Sequence, residues 1–127
     1  LFQLELPVYL NPQIEDKYTP AGLALSHYMA NEQALNENSH LRIRNITDGT
    51  SNTILAFEAG DNFKAWGDPT NFGNPVDYIG SGAKSAFRGG SHVMLGDGAV
   101  RFVSENIDPG VLEALSTPAG GEIVGEF

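Results

Sequence analysis

Two short runs of strand-forming residues flank Asp97-Gly98: His92-Val-Met-Leu95 before it and Val100-Arg-Phe-Val103 after it. An Asp-Gly pair in that setting predicts a two-residue β-hairpin, because type I′ geometry needs φ > 0 at both central positions. Pairing about that turn sets Leu95 opposite Val100 and Val93 opposite Phe102. These four would share one buried face, with Met94 and Arg101 on the other. Residues 53–59, Thr-Ile-Leu-Ala-Phe-Glu-Ala, place β-branched and aromatic residues in series and read as a central strand. Residues 4–10 alternate, and Pro7 demotes them to an edge strand or an extended entry segment. A short strand around 24–29 would put His27 and Tyr28 on opposite faces.

The polar intervals are equally informative. Residues 31–40 read as a surface loop, and 41–44 as an extended lead into a turn at Thr47-Asp48-Gly49. Residues 60–82 are rich in Gly, Asn, Asp and Pro with Trp66, Phe72 and Tyr78 interleaved, which reads as a long loop held by aromatic anchors. Near the end, Asp108 precedes Pro109 and apolar residues at 111, 112 and 115. That is an N-cap, a proline at the first helical position and a short amphipathic helix. Grouped strands without βαβ alternation imply an α+β fold with an antiparallel sheet, in a single domain over 1–127.

Composition narrows the function classes. Sixteen acids against seven bases give a net charge of −9, the opposite of a nucleic-acid footprint or an anionic-lipid binder. The absence of cysteine removes disulfides, thiol nucleophiles and zinc-thiolate sites. No stretch has the apolar length of a spanning helix. The start at Leu1-Phe-Gln-Leu-Glu has no basic leader and reads as the middle of a longer protein.

Three blocks in order carry a family resemblance. They are Ile46-Thr-Asp-Gly-Thr-Ser-Asn-Thr53 with Glu58, then Gly89-Gly-Ser-His-Val-Met-Leu-Gly-Asp-Gly-Ala-Val-Arg-Phe102, then Thr117-Pro-Ala-Gly-Gly-Glu122. The chain resembles the secreted, pilin-like proteins of planctomycete type grouped as domain of unknown function 1559. The matching positions are Asp48, Gly49, Asn52, Glu58, Asp97, Gly98, Gly120, Gly121 and Glu122, together with a Trp66, Pro75 and Asp77 loop. Two positions depart from the pattern. Asn11 stands where the family has a Cys before Pro12, and Phe87 stands where a His precedes Asp-Gly by nine intervening residues. The resemblance implies a pilin or pseudopilin head lacking its long N-terminal helix. It also implies a cell-envelope or extracellular location, with membrane attachment only through that helix.

Candidate chemistry is sparse. Asp48-Gly49 and Asp97-Gly98 read first as turns and second as ends of calcium loops. The better calcium candidate is Asp61, Asp68 and Asp77; no other cofactor is indicated. Glu58 alone is no acid–base mechanism, and a buried Glu held by Arg44, Arg88 or a backbone N–H is expected. Ser26-His27, Ser39-His40 and Ser91-His92 are neighbours, so in a strand each pair points to opposite faces. His27, His40 and His92 lack metal-ligand spacing. Two functions follow. One is a non-catalytic structural head that self-associates or joins a pilus- or secretion-like assembly, without nucleic acid. The other is an extracellular solute- or glycan-binding domain using Trp66, Phe72 and Tyr78.

Overall fold

The structure is a computed structural model, and it describes residues 1–36, 38–80, 85–121 and 127. Seven strands and two short α-helices occur among the described residues, an α+β arrangement. The strands are β1 (Leu25–Ser26), β2 (Tyr28–Asn31), β3 (Ile54–Glu58), β4 (Lys64–Ala65), β5 (Phe72–Gly73), β6 (Gly90–Leu95) and β7 (Val100–Ser104). The helices are α1 (Pro75–Tyr78) and α2 (Pro109–Ser116). β1 and β4 form a small antiparallel ribbon, and the main sheet has the order β5-β2-β3-β6-β7. Only the β2–β5 pair is parallel; the other neighbours in the main sheet are antiparallel.

β3 lies in the middle of this sheet, where its β-branched and aromatic residues predict it. Ile54 and Phe57 are fully buried with Met29, Val93, Leu95 and Val103. Leu112 and Leu115 of α2 cover that core from one side, with Tyr78 and Ile79 beside them. α2 starts as its sequence dictates: Asp108 Oδ1 accepts from Gly110 N at 2.8 Å and Val111 N at 3.2 Å. These bonds satisfy donors that have no partner within the helix.

The hairpin differs from the expected one. Leu95 N donates to Ala99 O and Gly98 N to Leu95 O, each at 2.9 Å, so the loop is Gly96-Asp97-Gly98 rather than Asp97-Gly98. The register becomes Met94↔Val100, Val93↔Arg101 and His92↔Phe102. A one-residue slip turns every side chain of a strand to the opposite face. Val93 and Leu95 are buried as expected, but Val100 and Phe102 are 66% and 47% exposed. The expected four-residue buried face is therefore wrong for β7. The cause lies outside the hairpin. Gly96 N donates to Thr53 O at 2.9 Å and Asp97 N to Thr50 O at 3.1 Å, which draws Gly96 into the loop. Gly98 does take a positive φ, of 84°, as the left-handed residue of a three-residue loop.

Three other segments depart from expectation, the first being 41–44, where Ile43–Asn45 forms a 3-10 turn instead of an extended lead. Residues 4–10 do not join the sheet; Pro7–Tyr9 is a 3-10 turn. Tyr9 O accepts from His27 N at 2.8 Å, which holds this turn beside the start of β2. The interval 60–82 is not one long loop, since β4, β5 and α1 all fall within it.

Candidate functional site on the open sheet face

Helix α2 covers one face of the main sheet. On the other face the register aligns two transverse rows. One row is Tyr28, Glu58, His92 and Phe102, and the other is Ala30, Ala56, Met94 and Val100. The small Ala56 leaves a groove of about 470 Å³, walled by Val8, Tyr9, Tyr28, Met94 and Val100, with Glu58 and His92 at one end.

Glu58 is only 7% exposed. Its Oε2 accepts from His92 N and pairs with His92 Nδ1, each at 2.8 Å. Of the expected alternatives, Arg44, Arg88 or a backbone N–H, the backbone N–H is present, and the His92 imidazole joins it. Phe102 and Phe87 hold that ring edge-on, at centroid distances of 5.1 and 5.5 Å. Phe87 occupies the position where the resemblance places a histidine, so the imidazole of His92 packs directly against that position. Tyr28 stands opposite Glu58 in the β2–β3 register. Burial, and after it the Glu58 charge, push its phenol above the usual value of 10.0. The Glu58–His92 pair was not legible from the sequence, because the two are 34 positions apart. Only the β3–β6 register brings them together.

His27 has a different environment. It is 0% exposed, and its Nδ1 accepts from Asn11 N at 2.8 Å. Its Nε2 lies 2.6 Å from Asp16 O and donates to it. Both bonds together require the neutral tautomer protonated on Nε2. His27 is thus a tie between the entry segment and β2, and Asn11 supplies its backbone where the resemblance has a Cys. Ser91 is buried, with its Oγ accepting from Ala86 N at 3.0 Å, on the face opposite His92. His40 is exposed in the 31–40 interval.

The aromatic residues proposed for ligand binding are dispersed. Trp66 stacks on Tyr9 at 6.3 Å and tilts against Phe2 at 5.2 Å, and its Nε1 donates to Leu4 O. Phe72 lies under Lys64 Nζ, 5.9 Å from the ring centre. Tyr78 is buried against Phe57. No ring contact joins the three among the described residues.

The acidic candidates are likewise separate. Asp68 Oδ1 accepts from Thr70 N and Thr70 Oγ1, and the Thr70 hydroxyl bond above all holds its carboxyl below the usual range. Asp61 Oδ1 accepts from Asn62 N, and Asp77 lies in the first turn of α1. Among the described residues, no group of three or more His, Cys, Asp or Glu side chains is placed to hold a metal ion.

The motif residues converge elsewhere, at one end of the sheet. Asp48 Oδ2 accepts from Gly120 N and Oδ1 from Gly121 N, each at 3.0 Å. Asn52 Nδ2 donates to Asp48 O at 3.2 Å, and Thr53 Oγ1 to Gly49 O at 3.1 Å. Asp97 Oδ1 accepts from Ala99 N at 2.9 Å within the hairpin loop. The first block thus grips the third through Asp48 and the second through Thr50 and Thr53. Glu122 lies outside the described residues.

The family model described as protein of unknown function (DUF1559) matches residues 61–110. The DUF1559 resemblance holds. The matched DUF1559 stretch runs from just before β4 through the hairpin to the first turn of α2. It contains His92 but stops short of Glu58 on the N-terminal side. Comparison with curated proteins and with solved structures gives no significant match.

Proposed function

We propose that this domain is a non-catalytic structural head of a pilin-like or pseudopilin-like protein of the cell envelope or cell exterior, assembling through its open sheet face. One observation carries the reading. The main sheet is covered by helix on one side, while Tyr28, Met94, Val100 and Phe102 line the other. Exposed, contiguous apolar surface on a sheet is a liability unless a partner covers it. The family resemblance supplies the kind of partner: an apolar helix laid across the sheet, or the same face of a neighbouring copy. The motif residues around Asp48 agree with this reading, because their bonds hold the chain together.

Sedimentation velocity over a concentration series tests the proposal. The domain should self-associate as concentration rises, and Val100→Asp should shift it toward monomer. A domain that stays monomeric throughout, with Val100→Asp indistinguishable from the parent, contradicts the assembly role. Among the described residues no ring contact joins Trp66, Phe72 and Tyr78, so the aromatic-loop alternative has less support.

A further inference from the structure

We propose that His92 and Met94 bind a copper(I) ion at the end of the open groove, with Glu58 as the residue that positions the imidazole. The inference goes beyond the assembly reading and does not depend on it. His92 and Met94 are two residues apart on β6. Their side chains therefore leave the same face of the sheet, from Cα atoms about 6.6 Å apart. Both line the same groove. The chain has two methionines; Met29 is locked in the core, whereas Met94 is 39% exposed. The imidazole is already set as a ligand. Its Nδ1 lies 2.8 Å from Glu58 Oε2 and donates to the ionised carboxylate. In the neutral ring that leaves the lone pair on Nε2, to which no bond occurs among the described residues. Phe87 and Phe102 hold the ring edge-on. A carboxylate on the far nitrogen is the arrangement that orients metal-bound histidines and raises their basicity. His27, by contrast, uses both ring nitrogens within the fold.

The donor set selects the ion. A thioether beside an imidazole suits copper(I), whereas calcium, magnesium and manganese take oxygen ligands. Zinc takes three or four nitrogen, sulfur or oxygen ligands from the protein. Among the described residues no group of three His, Cys, Asp or Glu side chains stands ready for it. A soft ion needs no such group. Charge points the same way. A monovalent ion on neutral His92 balances the single negative charge of Glu58. A divalent ion would leave an excess positive charge beside the apolar walls Val8, Tyr9 and Val100. The net charge of −9 adds a general attraction for cations.

The test titrates the isotope-labelled chain with copper(I) under nitrogen in ascorbate, first alone and then in competition with a copper(I) chelator. One equivalent should bind and shift the His92 Nε2 and Met94 methyl resonances together, while zinc(II) at the same concentration leaves the Met94 methyl in place. His92→Ala should weaken binding at least about 100-fold, and Met94→Leu and Glu58→Gln about tenfold each. Before any metal is added, the ring-nitrogen shifts of His92 should show a proton on Nδ1, and Glu58→Gln should turn that into a mixture of tautomers. Copper(I) that moves neither resonance, or moves His92 alone, overturns the site. So does a Met94→Leu variant that binds as tightly as the parent, since Leu keeps the volume and loses only the sulfur. Zinc(II) that moves both resonances overturns the choice of ion. An Nε2 proton in the parent, or undiminished affinity in Glu58→Gln, overturns the positioning role of Glu58. The shifts and the tautomer in the parent decide the question even if a variant does not fold.

Discussion

At the scale of single residues, buried polar groups do most of the specifying. Asn31 is fully buried, and its Nδ2 donates to Ile54 O at 2.7 Å and Ser116 O at 2.8 Å. One amide therefore ties β2 to β3 and to the end of α2. Asn31→Ala would remove both buried bonds, and a urea titration should show a loss of about 2–3 kcal/mol. Asp48→Ala removes both acceptors that hold Gly120 and Gly121. A loss of about 1–3 kcal/mol is expected, with faster hydrogen exchange at those two amides. Tyr28 gives a pH signature. Its phenol is raised above 10.0, so the neutral form is favoured in the folded state. That contribution is intact below pH 10 and is lost as pH rises through the folded value. A tyrosinate titration compared with Tyr28→Phe isolates the group, and Glu58→Gln should lower its midpoint part of the way back. None of these roles is legible in the sequence: Asn31 and Tyr28 look like ordinary loop and strand residues, and Asp48 stands out only as a turn and motif position. Each acts through a partner that only the folded chain supplies.

At the scale of elements, legibility follows how local the determinants are. Helix α2 was readable because Asp108, Pro109 and the apolar spacing act within one turn of each other. β3 was readable from its side chains alone. The hairpin was readable as a hairpin but not in register, because its loop length is set by Thr50 and Thr53. Gly96 packs closely there: a Cβ on it would lie 3.0 Å from Thr50 O. Gly98→Val should cost about 1–2 kcal/mol, since a β-branched residue at φ 84° is strained. Gly90→Ala should cost more, because the added Cβ would overlap the Val103 carbonyl oxygen of the neighbouring strand. Chemical denaturation of the two variants side by side ranks them. Residues 4–10, expected as an edge strand or an extended entry segment, stay outside the sheet for a related reason. Pro7 begins a 3-10 turn, where its missing N–H is not needed, and the bond from His27 N to Tyr9 O sets its place.

At the scale of the whole molecule, the α+β class and the likeness to DUF1559, matched over residues 61–110, were legible, while the candidate site was not. Glu58 and Asp97-Gly98 stood out as motif residues, but their setting came from sheet order. Strand pairing between β3 and β6 creates the Glu58–His92 pair, and the slipped β7 register adds Val100 and Phe102 to the same face. Had the hairpin closed in the expected register, Val100 and Phe102 would have pointed into the core. The open face would then have lost two of its apolar side chains.

The clamp between Asp48 and Gly120-Gly121 has a consequence for the order of synthesis. A growing chain emerges from its N-terminus, yet Asn31 waits for Ser116 and Asp48 waits for Gly120 and Gly121. The centre of the sheet can pair earlier, but two of its polar anchors stay unfilled until residues 116–121 have left the ribosome. A nascent chain stalled before residue 116 should therefore remain sensitive to protease, and release of those few residues should bring resistance in one step.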